Sequence, residues 1–147
     1  MSIPYAFAVE LAQPLPQALE TLRAALAAEE MGIVSEVDVQ ATLKARLGLD
    51  VHPQRLLGVC SPRIAHALMT VEPDIAALLP CGCGMSEPVP GRMRIVLQDP
   101  RAIGALAAEA GVRPACELAH AALRRVVGRL EAAASTPSSL RQPRSPA

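Results

Sequence analysis

Aromatic side chains are nearly missing from this chain: it has no tryptophan, and its rings of that class are Tyr5 and Phe7 alone. No ladder of rings is available to stack unpaired bases on a sheet surface. Neither charge sign dominates, since 14 acidic groups balance 14 basic ones. There is then no net field to draw in nucleic acid or an anionic membrane. Long apolar runs are lacking too. No stretch of about 18 uncharged apolar residues occurs, so no segment reads as a membrane-spanning helix. The first basic residue is Arg23, which removes the charged start of a secretory signal. Cysteine is sparse, at Cys60, Cys81, Cys83 and Cys116, and its spacing makes no pair of Cys-x-x-Cys units for a closed zinc site. Four thiols without a secretory signal point to a reducing cytoplasm.

What is present is one domain's worth of chain, 147 residues rich in Ala, Leu and Val. Tyr5 to Glu10 alternates as a strand does, and Pro14 and Pro16 then open a helix whose Leu15, Leu19, Leu22 and Leu26 form a stripe ending at Gly32. Ile33 to Val37 is a second strand. Asp38 caps a short helix over Val39 to Leu47, which Gly48 closes. Arg55 to Cys60 reads as a central strand, and Ser61-Pro62 starts a helix to about Met69. A short helix follows Glu72 and stops at Pro80. Cys81 to Glu87 and Met93 to Leu97, joined through Pro88-Val89-Pro90-Gly91, form an antiparallel hairpin. Asp99-Pro100 caps a helix to about Ala110. A last helix over residues 114–133 turns Leu118, Ala122, Leu123, Val126, Val127 and Leu130 inward. The expected fold is a single α+β domain over residues 1–133, its sheet carrying the antiparallel hairpin and helices covering one face. Residues 134–147, rich in Ser, Pro and Arg, read as a disordered tail.

The stretch with the most chemistry is Leu78 to Glu87. At period two, Cys81, Cys83 and Met85 share one face, and Gly82, Gly84 and Ser86 leave the other almost bare. Alternate Cα atoms lie about 6.5–7 Å apart, so Cys81 and Cys83 can lean together on one metal ion. Cys60 ends one strand where Cys81 begins another, which makes the two expected neighbours. Cys60, Cys81, Cys83 and Met85 together are soft donors suited to copper(I), or to zinc without the thioether. The plain alternative is that all four sulfurs pack as small hydrophobes. Cys60, just before a helix start and beside Arg63, also has surroundings that can activate a thiol. The histidines His52, His66 and His120 form no ligand spacing and read as surface or hydrogen-bonded groups.

Four phrases carry a family resemblance: Glu36-Val37-Asp38-Val39-Gln40-Ala41-Thr42-Leu43-Lys44, Leu57-Gly58-Val59-Cys60-Ser61-Pro62, Leu78-Leu79-Pro80-Cys81 and Asp99-Pro100. Over roughly Tyr5 to Ala110 the chain resembles domain-of-unknown-function family 302. The resemblance implies an α+β domain with an antiparallel-containing sheet, a homodimer, and family-like cysteines at Cys60 and Cys81. It implies no established activity. Gly82-Cys83-Gly84 departs from the aliphatic strand residues usual after Cys81, and the helix over 114–133 extends beyond the matching phrases.

The leading reading from sequence is therefore a small soluble, cytoplasmic, homodimeric binding domain without catalytic machinery. Its candidate site is Cys60, Cys81, Cys83 and Met85, with copper(I) or zinc as the candidate ligand. The alternatives are an interaction homodimer in which every cysteine is packing, and a thiol redox protein.

Overall fold

In the computed structural model, which describes residues 3–134, one antiparallel sheet of five strands carries helices on one side. Chain order is β1 (Ala6–Leu11), α1 (Leu15–Ala27), β2 (Gly32–Asp38), α2 (Val39–Leu47), β3 (Gln54–Cys60), α3 (Pro62–Val71), a 3-10 turn (Pro73–Leu78), β4 (Cys81–Val89), β5 (Arg92–Gln98), α4 (Pro100–Leu106), a second 3-10 turn (Ala110–Val112) and α5 (Arg113–Ala134). Across the sheet the order is β1-β5-β4-β3-β2. The β4–β5 hairpin is antiparallel as expected, and its turn places Gly91 at φ 80°, a region that glycine enters without strain.

Period-two alternation sorts the strands. Val9, Leu11, Leu57, Val59, Cys83, Met85, Met93, Ile95 and Leu97 all point to the covered side and pack with Leu22 and Leu26 of α1 and Leu123, Val126 and Leu130 of α5. A second cluster, Leu68, Ile75, Ile103, Val112 and Cys116, fills the space between α3, α4 and α5. The α1 N-terminus has no capping side chain of its own, because Pro14 stands at the cap. Glu87 supplies the acceptor from β4: one carboxylate oxygen takes the Leu15 N–H at 2.9 Å, the other the Gly91 N–H at 2.8 Å. One buried carboxylate thus ties the start of α1 to the β4–β5 turn.

Several boundaries differ from the sequence reading. Gly32 is the first residue of β2, and Glu30 takes the left-handed position after α1 at φ 56°. The helix begun at Asp99 stops at Leu106, where Ala107 turns extended. On α5 the buried face is Cys116, Ala119, His120, Ala122, Leu123, Val126 and Leu130, while Leu118 is 67 % exposed. Of the six residues expected to face inward, Ala122, Leu123, Val126 and Leu130 are buried and Val127 packs against the core, so only Leu118 differs, because in an alanine-rich helix a single leucine weighs too heavily in a hydrophobic pattern. The tail expected from 134 onward lies, after Ala134, outside the described residues.

Candidate functional site

The register of β3 against β4 decides where the sulfurs go. Val59 pairs with Cys81 and Leu57 with Cys83, so Cys81, Cys83 and Met85 do share one side of the strand. That side is the one the helices cover. Cys83 is 4 % exposed and Met85 1 %, both within the main core. Burial pushes the Cys83 thiol up to about 12. Of the four residues singled out by sequence, the structure brings Cys60 and Cys81 to one place and leaves Cys83 and Met85 packed under α1 and α5.

Cys60, the last residue of β3, and Cys81, the first of β4, both line a narrow apolar crevice of about 30 Å³ walled by Leu68, Pro80, Ile103 and Leu123. That is room for a water molecule or two. Both thiols are half-buried and free. The Cys81 thiol is pushed up to about 11, chiefly by burial and then by the neighbouring Cys60 and Cys116 sulfurs, whose negative charge would oppose its own. Cys116, on α5, is raised too, first by burial and then by Glu117, while the Gly104 N–H pulls the other way. A thiol with a raised pKa stays protonated at neutral pH and acts as a small apolar group, unless a soft cation displaces the proton. Among the described residues no three His, Cys, Asp or Glu side chains converge on a point that would hold a metal ion.

Among the described residues neither core cluster reaches the opposite side of the sheet, and its surface can be read from the register, because directly opposed residues share a face. The middle row runs Ala8–Val96–Gly84–Leu56–Val37 across all five strands. Every member is apolar or glycine, and Leu56 is 57 % exposed. On one side of it lies a row of small groups, Gly82–Gly58–Ser35, continued by Gln98 and Ala6. The Gly82 N–H donates to Oε1 of Gln98 at 3.2 Å. On the other side lies a polar row, Glu10–Arg94–Ser86–Gln54. Arg94 in this row is matched within the chain by Glu10 at 3.6 Å, whereas Arg55, which the register puts on the covered side with Met85, pairs there with Glu36 at 3.0 Å and Asp38 at 3.2 Å.

This face has both a ridge and a trough. A Cβ added at Gly82 would meet nothing within 4 Å, so the backbone there is open to whatever approaches. Ile3, Tyr5, Leu56, Gly82, Gly84 and Val96 bound a shallow concavity of about 520 Å³ around it. Gly58 is a glycine for another reason, since a Cβ there would lie 2.5 Å from the Pro80 ring and closer still to the Ser35 hydroxyl. Two glycines opposed in the same row thus serve different ends, one close packing and the other an open surface.

A polar pair the sequence pattern did not disclose joins α4 to α5. His120 Nδ1 and Asp99 Oδ1 are 2.7 Å apart, and the ring lies 5.4 Å from that of Phe7. Asp99 also caps α4 by accepting the Arg101 N–H at 3.0 Å. The capping role was legible from Asp99-Pro100, but the partner 21 residues away was not. Next to it Arg101 makes a paired contact with both oxygens of Glu117, which holds that carboxyl below its usual range. No nucleophile is hydrogen-bonded to this His–Asp pair among the contacts of the described residues, and its geometry is that of a helix-to-helix tie.

Comparison with known proteins supplies a family but no activity. The sequence matches the family described as "Domain of unknown function DUF302" over residues 7–130, so the match extends past Ala110 and covers most of α5. The fold is similar to the crystal structure of an uncharacterized conserved DUF302 protein from Bacillus stearothermophilus, with a TM-score of 0.77 at 19 % identity, covering 87 % of this chain and 99 % of that one. A likeness at that identity speaks for the fold alone. No curated protein matches the chain. Among the described residues no helix is long and apolar enough to cross a membrane.

Proposed function

The chain belongs to the DUF302 family, and from that premise we propose that it is an interaction module which pairs with a second copy of itself through the uncovered face of its sheet. One observation carries the reading: an apolar row crosses all five strands and no part of the described chain covers it. Solitary apolar residues on a surface are ordinary, but a contiguous band marks a contact. Its occupant must be apolar where it meets this row, because the row carries no charge and Arg94 beside it is already paired with Glu10. A second copy meets that condition, since it presents the same apolar row. It also meets the shape, because a two-fold axis can set the Leu56 ridge of one copy into the Gly82–Gly84 trough of the other. Four free thiols suit a reducing compartment for such a pair.

The test is sedimentation of the full chain with Leu56→Asp beside the wild type. Burying a leucine fully is worth about 1.5–3 kcal/mol. Leu56 is roughly half exposed and occurs in both copies, so its loss alone removes about 2 kcal/mol of association and a buried carboxylate removes more. The wild type sediments as a dimer at micromolar concentration and the variant as a folded monomer. A variant that dimerises like the wild type overturns the reading.

A second reading is favoured by the proximity of Cys60 and Cys81 at one crevice. Here the soft-metal site contracts from four sulfurs to two, a set that suits two-coordinate copper(I) better than four-coordinate zinc. Reduced protein titrated with copper(I) against a competing chelator would bind more tightly than a Cys60→Ser/Cys81→Ser variant. Equal binding disposes of the site.

A further inference from the structure

The second copy proposed above is the premise for one more inference, which concerns α2. This helix buries none of its nine residues. Helices so short are marginal in water, and in proteins they persist because an apolar face packs on something. The helix is well capped: Asp38 accepts the Ala41 N–H at 2.9 Å, and Gly48 at φ 67° closes the other end, with the Gly48 and Leu49 N–H groups donating to Lys44 and Leu43 carbonyls. Caps fix where a helix begins and ends; they do not replace missing apolar burial.

The helix has neither an apolar nor a polar side: Val39, Ala41, Leu43, Ala45 and Leu47 alternate round it with Gln40, Thr42, Lys44 and Arg46. Its apolar groups gather at the C-terminal end, where Leu47 and the following Leu49 stand 65 % and 50 % exposed. The loop after it is folded back onto it, with the Gln40 amide donating to the Val51 carbonyl at 3.0 Å and Lys44 pairing with Asp50 at 2.9 Å. This is a preformed arm with apolar groups at its tip, and its charge is partly neutralised within itself.

We infer that the α2 arm, Val39 to Val51, reaches across the two-fold axis and packs on the second copy. Continuity supports this occupant. Val37 ends the apolar row at the edge of the sheet, and one residue later the chain enters α2, which rests against β2 and β3. Area supports it as well. Five strands about 4.8 Å apart and three rows about 7 Å apart give a face of about 500 Å² per copy, short of the roughly 800 Å² per partner of a standard interface. A nine-residue helix is about 13 Å long and about 10 Å wide. One arm given and one received then add about 270 Å² and bring the total near the standard.

Amide hydrogen exchange in α2, followed in the full-length wild type across protein concentration and in Leu56→Asp, tests this without altering the arm. Protection of Leu43 to Leu47 should rise with concentration as dimer forms and be lost in the Leu56→Asp monomer. Sedimentation of a Leu47→Asp/Leu49→Asp variant should show a dimer weakened by about tenfold or more. If the wild type dimerises and Leu56→Asp abolishes it, yet α2 protection is independent of concentration, the arm inference is wrong and the face reading stands. If Leu56→Asp leaves the dimer intact, or no dimer forms, the premise fails and the arm inference with it.

Discussion

The two glycines at Gly82 and Gly58 are opposed across β4 and β3, and the account requires them to respond to substitution in opposite ways. Gly82 has open space where a Cβ would stand, and its φ is not in the left-handed region. Glycine inside a strand costs about 0.5–1 kcal/mol relative to a residue with a side chain, so Gly82→Val should leave the isolated monomer as stable as the wild type or about 0.5–1 kcal/mol more so. The hydrogen bond from its N–H to Gln98 is kept, because valine retains the donor. In the dimer the same branches fill the trough meant for the Leu56 ridge. Overfilling a packed contact costs about 1–3 kcal/mol, and a two-fold contact suffers it twice, so association weakens at least about 30-fold. Gly58→Ala does the reverse. Its methyl group runs into the Pro80 ring and the Ser35 hydroxyl, and the monomer loses about 1–3 kcal/mol. Urea unfolding followed by circular dichroism at a concentration where wild type is monomeric gives the first quantity, and sedimentation equilibrium gives the second. Gly82→Val unfolding as readily as Gly58→Ala, or dimerising as tightly as wild type, would refute the reasoning.

Two other perturbations follow from the geometry. Glu87→Ala removes the acceptor for both Leu15 and Gly91 N–H groups, and hydrogen bonds to a carboxylate are worth about 1.5–3 kcal/mol each, so a loss of about 3–6 kcal/mol is expected in urea unfolding; a loss below about 0.5 kcal/mol would mean that α1 starts without this cap. The Cys83 thiol is pushed up to about 12, above its unfolded value of about 8.5, so the folded state holds its proton more tightly. Stability from that difference is fully present below pH about 8.5 and is lost as pH rises towards 12. Cys83→Ala should therefore lose stability less steeply than wild type between pH 8.5 and 11, and parallel slopes would count against the shift.

Much of the strand pattern was legible in the sequence because period two is a strict rule. Gly82, Gly84 and Ser86 opposite Cys81, Cys83 and Met85 needed only alternation. Which of those two sides the helices would cover was not legible, since both were small and neither carried charge before Glu87. That is why four sulfurs read as one site, whereas Cys83 and Met85 belong to the core and Cys60 and Cys81 to a crevice. Distant partners were out of reach as well. Nothing local tells Glu87 that it caps a helix 72 residues earlier, or His120 that Asp99 waits at another helix start. On α5 the inner face was legible apart from Leu118, which faces out because the alanines around it fit either side. In α2 the expected boundaries and both caps hold, yet its exposure could not be foreseen, since the same apolar residues would suit a helix on the core.

The contact between Leu56 and the glycine trough is the part of the account most open to direct observation. In a mixed sample of isotope-labelled and unlabelled protein, filtered nuclear Overhauser spectra report only contacts between copies. Cross-peaks are expected from the Leu56 methyls of one copy to the Gly82 and Gly84 α-protons of the other. Cross-peaks confined to the helical side, for example from Leu106 or Leu118, or none at all at concentrations where the protein sediments as a dimer, would contradict it.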